Sequence, residues 1–142
     1  KDLYAGYYRE LNQVRGLIAD YDAVKSVISK QKQLVSEYQQ ASGLFNHDAH
    51  FSASELKYMG NIYNGILQES LQNLDELLMV VSNLGTQMDD AERLQKISQA
   101  AKAMQTNCDH LRQFNRQNAG LSLMRAKDAQ DRQNVKQLYG IQ

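Results

Sequence analysis

The chain has 142 residues, 42% of them hydrophobic, and its 16 basic and 16 acidic residues give a formal charge of zero at pH 7. A neutral chain offers no electrostatic footprint for a nucleic-acid backbone, which argues against direct DNA binding. A single cysteine cannot form an internal disulfide, and no apolar run approaches the roughly 20 residues that a membrane-spanning helix needs. The length predicts one domain covering residues 1–142.

Apolar residues recur at steps of three and four through most of the chain, and there is no proline. This spacing is typical of amphipathic helices that pack side by side. It predicts an all-α fold, an elongated three- to four-helix antiparallel bundle. The predicted helices cover about residues 2–40, 52–82, 89–116 and 121–139.

The first predicted helix is very long, about 58 Å at a rise of 1.5 Å per residue. We expect it to end near residue 40, with Gly43 as its C-cap. Tyr4, Tyr7 and Tyr8 cover more than one face at its start. One or two of these rings should therefore be exposed, which favours a protein-interaction surface there.

The second predicted helix opens with a strong start signal. Ser52 as N-cap and Glu55 three residues later form a capping box, and Phe51 is placed to staple against Leu56. Apolar residues on more than one face of this segment predict that it packs against two neighbours, as a central element.

The third predicted helix begins at another capping box, Asp89 with Glu92. Cys108 falls on its apolar stripe, where a free cysteine behaves as a small hydrophobe and not as a nucleophile. Between residues 115 and 120 the stripe turns polar, which predicts a kink or break. A weaker final helix follows, with Gly140 as its C-cap.

The loop between the first two helices holds the residues most suited to a metal. His47 and His50 are three residues apart with Glu55 nearby, which permits zinc, but two histidines in a loop are a weak signal. We expect a polar loop, no cofactor, no catalytic residues and no enzyme activity. The competing hypothesis is a metal-dependent enzyme built on these histidines, which stoichiometric metal in the purified protein would support.

Charge is unevenly distributed despite the neutral total. Six acids and no Lys or Arg occur between Tyr58 and Glu92, whereas the stretch from Arg112 to Lys136 is mostly basic. The simpler interpretation is that these faces pair inside the bundle, and the alternative is electrostatic docking of a partner.

Five short motifs occur in a fixed order: FSASEL from Phe51, LQES from Leu67, MDDAER from Met88, LSLMRAK from Leu121 and LYG from Leu138. Over residues 45–141 this order resembles the small secreted conjugal-transfer proteins of Bacteroidetes conjugative transposons, which are called TraI-like and are comparable to TrbJ. The relaxase that shares the TraI label is unrelated to this pattern.

The resemblance implies a removed signal peptide, a periplasmic or outer-membrane-associated location, and a part in a type IV secretion apparatus. It implies binding to other protein subunits of that apparatus, or to further copies of the chain, and it supplies no catalytic residue. The recurring positions of the family carry over to Phe51, Ser52, Glu55, Arg125 and Tyr139. The alternative function is a generic helical adaptor or coiled-coil oligomerisation module unrelated to conjugation, which a methionine start without an apolar leader would favour.

Overall fold

The computed structural model describes residues 22–82 and 90–142, and within these ranges it is all-helical, with no strand. Its four helices are α1 (Asp22–Asn46), α2 (Ala53–Ser82), α3 (Asp90–Met124) and α4 (Ala129–Tyr139). None of these four helices has the length and apolarity that a membrane-spanning segment requires.

The three longer helices pack around two apolar clusters. In the first, Val24 near the start of α1 joins residues of α2 and α3 that include Val80 and Ile97. In the second, Leu34 of α1 joins Met59 and Leu111. Successive residues of α1 thus meet successive residues of α3 and earlier residues of α2, so α2 runs antiparallel to both of its neighbours.

A buried polar layer separates the two clusters. Gln31 of α1, Ser70 of α2 and Asn107 of α3 are each at most 2% exposed, and each lies in sequence between members of the two clusters. Asn73 donates a hydrogen bond from its amide nitrogen to Asn107 Oδ1 at 2.6 Å, and Ser70 Oγ donates to Leu67 O at 2.7 Å. The layer favours this register, because sliding α2 past α3 would break the bond between Asn73 and Asn107 and leave both amides without it.

The described part of the first helix has 25 residues, so the very long helix expected from the sequence is not shown. Residues 2–21 of that prediction lie outside the described part of the chain. The predicted end near residue 40 is wrong, because α1 continues through Gly43 to Asn46. Packing explains the extension: Phe45 is 2% exposed and contacts the rings of Phe51 and Tyr139. The last turn of α1 therefore belongs to the core.

The break expected at residues 115–120 is absent, because α3 continues to Met124. The polar side chains there have partners that do not interrupt the helix. Asn115 accepts a hydrogen bond from the Tyr63 hydroxyl of α2, and Asn118 donates to the carbonyl of Phe114 one turn earlier. The chain bends instead after Met124, and α4 then begins at the N-cap Asp128, whose carboxylate accepts a hydrogen bond from the amide of Asp131.

Gly140 ends α4 in the left-handed conformation, with φ of 67°, and is the C-cap. This backbone region is unfavourable for residues with a Cβ atom, which accounts for a glycine here. The amide of Ile141 then bonds back to Lys136 O at 2.8 Å, which closes the last turn.

Candidate functional site

A polar cluster joins the α1–α2 loop to the end of α3 and to both ends of α4. Its centre is Asp48, which is 6% exposed. One carboxylate oxygen accepts from the amide of His50 at 2.9 Å and contacts His50 Nδ1 at 2.7 Å. The other accepts from Ser122 Oγ at 2.6 Å and from the Tyr139 hydroxyl. One buried carboxylate thus connects three segments that are far apart in sequence.

His50 lies between two carboxylates. Its Nδ1 contacts Asp48 Oδ1, and its Nε2 contacts Asp131 Oδ2 at 2.8 Å. Because a carboxylate only accepts hydrogen bonds, both contacts are satisfied only when both ring nitrogens carry a proton. The geometry therefore favours the imidazolium ion.

The pKa values of His50, Asp48 and Asp131 shift in the directions that favour their charged forms. Hydrogen bonds to Asp131 and then to Asp48 raise the pKa of His50. Burial would raise the pKa of the Asp48 carboxyl, but the hydrogen bonds that it accepts, from Ser122 and Tyr139 first, more than offset burial and lower it. The hydrogen bond from His50 is the main reason that the pKa of Asp131 is lowered.

A second set of contacts, beside the first, involves Arg125. Its guanidinium forms a bidentate ion pair with Glu55, at 2.9 and 2.7 Å, and donates to the carbonyl of His50 at 2.9 Å. It also lies 5.8 Å from the centroid of the Phe51 ring. The hydrogen bonds from Arg125, followed by those from Ser52, lower the pKa of Glu55 to about 2.

Glu55 combines this ion pair with capping of α2. The amide of Ser52 donates to Glu55 Oε1 at 3.0 Å, and the amide of Glu55 donates to Ser52 Oγ at 3.2 Å, which is the reciprocal pattern of a capping box. Phe51 and Leu56 both pack in the second apolar cluster. The start of α2 is thereby attached to the end of α3.

The cluster contains Ser, His and Asp but not the geometry of a nucleophilic triad. A triad needs the serine on one ring nitrogen and the carboxylate on the other. Here Ser122 Oγ is 3.3 Å from His50 Nδ1, the nitrogen that already contacts Asp48, and it donates to Asp48 itself. Ser122 is also fully buried, so no substrate reaches its hydroxyl.

The two histidines considered for a metal have separate environments. His47 Nδ1 bonds to the carbonyl of Gly43 at 2.8 Å on the exposed end of α1. Both nitrogens of His50 are occupied by carboxylates. Across the described ranges, no group of three or more His, Cys, Asp or Glu side chains is arranged to hold a metal ion. The structure therefore does not bring His47 and His50 together as ligands.

An open groove of about 800 Å³ lies next to the polar cluster. Its walls come from the last turns of α1, the C-terminal third of α3 and the end of α4. The apolar lining includes Ala41, Leu44, Phe45, Leu123 and Leu138. Leu138 is 40% exposed, so part of this apolar surface already faces solvent.

Three acidic residues in the second half of α2 do not pair with the basic segment. Glu69, Asp75 and Glu76 are exposed and form no ion pair within the part of the chain that the structure describes. The ion pairs between helices instead use Glu37 with Arg112 and Glu55 with Arg125. For these three acids, internal pairing of the two charged faces is thus not observed.

Several predicted site residues fall outside this geometry. Tyr4, Tyr7, Tyr8 and Asp89 lie outside the described residues, and Glu92 is exposed on the first turn of α3. The central residue of the cluster, Asp48, lies in the segment that the sequence predicted only to be a polar loop. Its partners Ser122 and Asp131 carried no signal in the sequence, because their roles depend on contacts across more than 70 residues.

Comparison of the chain with protein-family models, with curated proteins and with solved structures yields no match.

Proposed function

We propose that this protein is an exported, non-catalytic component of a conjugative DNA-transfer apparatus of the type IV secretion class, and that it acts by protein–protein contact. One observation carries the proposal. The resemblance singles out five positions from both ends of the matched region: Phe51, Ser52, Glu55, Arg125 and Tyr139. Each of them belongs to the polar cluster around Asp48 or to the adjoining contacts of Arg125, or directly contacts one of these. Their membership of one structural unit supports the proposal, because it gives these positions a shared structural role.

The chemistry of the cluster supports a structural role over a catalytic one. Its carboxylates and its histidine are shifted towards their charged forms by fixed partners. A general acid or base needs a pKa near the working pH and an approach for substrate. Asp48 and Ser122 are buried away from any substrate, and the hydrogen bonds of the cluster join the ends of the helices.

Binding through the surface is supported by what the fold leaves exposed. Met124 is 83% exposed at the end of α3, and Tyr58 is 62% exposed on α2. Together with the groove, these side chains supply apolar contact area of the kind found at protein interfaces. Three exposed acids of α2 have no ion-pair partner among the described residues and provide a negative face for a basic partner: Glu69, Asp75 and Glu76.

The test is mating frequency after clean in-frame deletion of the gene. Complementation uses two plasmids, one encoding the protein behind a signal peptide and the other encoding the same protein without it. The proposal predicts that transfer collapses on deletion and is restored by the exported copy alone. Unchanged transfer after deletion would contradict the conjugation role, and rescue by the leaderless copy would contradict the location.

The exposed face of α2 specifically favours the adaptor or oligomerisation alternative. If that alternative is correct, deletion leaves mating unchanged, while the purified protein forms a salt-sensitive oligomer or complex. Light scattering at 50 mM and 500 mM salt measures this, and the variant Glu76→Lys should weaken the association. Lys57→Glu, on the same helix but before the acidic face, is the matched control.

A further inference from the structure

The last helix, α4, has few apolar contacts to hold it in place. It has 11 residues, of which only Val135 is buried. Isolated helices shorter than about 12–15 residues are marginal in water, so α4 depends on its attachment to the bundle. A segment of this kind can open by itself while the larger core stays folded.

Polar contacts hold α4 at both of its ends. In the first turn, Asp131 contacts His50 Nε2 at 2.8 Å and accepts from the amide of Lys127 at 3.0 Å. In the last turn, the Tyr139 hydroxyl donates to Asp48. The Asp131 contact to His50 and the Tyr139 contact to Asp48 reach one connected pair of residues, because His50 and Asp48 also contact each other. The attachment of α4 therefore depends on one connected set of charges.

The charges around His50 come from every element packed against it. Asp48 contributes from the α1–α2 loop, and Asp131 from α4. Arg125, after the end of α3, donates to the His50 carbonyl, but its charge is neutralised by the bidentate pair with Glu55 of α2. The immediate surroundings of the ring are therefore two carboxylates against one imidazolium. Loss of the ring proton would leave the two carboxylates with no cation between them.

We propose that α4 is a flap latched by the His50 imidazolium, and that it opens locally, with α1 to α3 still folded, when either the imidazolium or its two carboxylates lose their charge. Opening separates Tyr139 from Phe45 and removes one wall of the groove. The apolar lining that remains, which includes Ala41 and Ala119, then becomes more exposed. This inference does not depend on the proposed function.

The direction of the pH dependence follows from the shifts in pKa. The pKa of His50 is raised on folding, so its contribution is complete below the ordinary histidine value of about 6.5 and is lost as pH rises through the raised value. The pKa values of Asp48 and Asp131 are lowered, so their contributions are complete above about 4 and are lost as pH falls through the lowered values. The latch is strongest between these limits.

Amide hydrogen exchange on the full chain tests this directly. Protection factors, which divide out the intrinsic pH dependence of exchange, are measured from pH 3 to pH 9.5 for α4 and for buried amides of α2 around Leu74. We expect protection in α4 to reach a maximum between about pH 4 and 6.5 and to fall on both sides by about tenfold or more, while the α2 amides stay protected.

A pair of histidine variants isolates the latch. His50→Gln should lower α4 protection by about tenfold at pH 6 and remove the alkaline fall, so that it converges with the wild type at high pH. His47→Gln, which loses only an exposed bond to Gly43 O, should behave as wild type. The proposal is overturned if α4 exchanges only together with α2, or if its protection is flat across the pH range. The proposal is also overturned if protection of the α4 amides still falls at alkaline pH in His50→Gln. Should His50→Gln fail to fold, the wild-type profile still decides.

Discussion

Replacement of Asp48 is the most severe single change that the structure suggests away from the apolar clusters. Asp48→Ala removes the acceptor of four hydrogen bonds, two from His50, one from Ser122 and one from Tyr139. Ser122 is fully buried, so its hydroxyl has no access to bulk water as a substitute. The His50 ring would keep one carboxylate partner, Asp131.

The magnitude follows from these contacts. A hydrogen bond to a charged group contributes about 1.5–3 kcal/mol, but four bonds to one carboxylate are not additive. Removing one member of a buried charge cluster costs about 3–5 kcal/mol. We therefore expect Asp48→Ala to lower the free energy of unfolding by about 4 kcal/mol, a large part of the 5–15 kcal/mol typical of a domain.

Asp48→Asn removes the negative charge of the side chain but keeps its shape, so it isolates the contribution of the charge. The amide oxygen can still accept, and the two hydroxyls can rotate to accept from the amide nitrogen, so about 2 kcal/mol should be lost. Because the pKa of Asp48 is lowered on folding, its charge stabilises the protein fully above about pH 4 and progressively less as pH falls. The difference between wild type and Asp48→Asn should accordingly narrow below pH 4.

Urea denaturation at pH 6, monitored by circular dichroism, measures the free energy of unfolding of the wild type, Asp48→Ala and Asp48→Asn. The slope of free energy against urea should be unchanged if only stability is altered. Asp75→Ala serves as the control, because Asp75 is exposed and should change stability by less than about 0.5 kcal/mol. A loss of under about 1 kcal/mol for Asp48→Ala would refute the assignment of Asp48 as the centre of the cluster.

Three further outcomes are expected. Leu74→Ala, at a fully buried position, should lower the free energy of unfolding by about 2–5 kcal/mol in urea denaturation, whereas Met124→Ala, at an 83% exposed position, should leave it within about 0.5 kcal/mol. Carboxyl NMR titration should find Glu55 with a pKa of about 2, and Arg125→Gln should return it towards the ordinary value near 4.3; a wild-type midpoint already near that value would contradict the bidentate pair. Cys108 is 1% exposed and burial raises its pKa, so it should react with a thiol reagent only under denaturing conditions. Rapid labelling of the native protein would show instead that the thiol is accessible to solvent.

Helix formation was predictable from the sequence where the controlling residues are local. The apolar spacing identified the helical class, and the start of α2 at Ser52 is encoded within four residues by the capping box. The ends of helices were less predictable. The last turn of α1 exists because Phe45 packs against Tyr139, and the middle of α3 continues because Tyr63 donates to Asn115. Both contacts cross the fold, and no window of sequence around residue 40 or 115 contains them.

The polar cluster was even less accessible to sequence reasoning. Two histidines in one loop indicate a weak metal candidate at most, and the spacing contains no sign of the carboxylates that contact His50. Asp131 lies in a polar stretch and Ser122 lies between two leucines, and neither pattern indicates a site. Only the packing of α3 and α4 against the α1–α2 loop brings them to His50. A single sequence cannot reveal such a site, since the chemistry depends on which surfaces meet and not on residue spacing.

The parallel arrangement of α1 and α3 has a consequence for how the chain folds during synthesis. α1 packs chiefly on α3, through contacts such as Glu37 with Arg112, and less on α2, its neighbour in sequence. While only the first two helices have left the ribosome, the apolar face of α1, with Val27 and Leu34, has no complete partner. Closing so long a loop is slow, so we expect the α2–α3 hairpin to form first and α1 to dock last. Until then the nascent chain exposes a surface that chaperones bind.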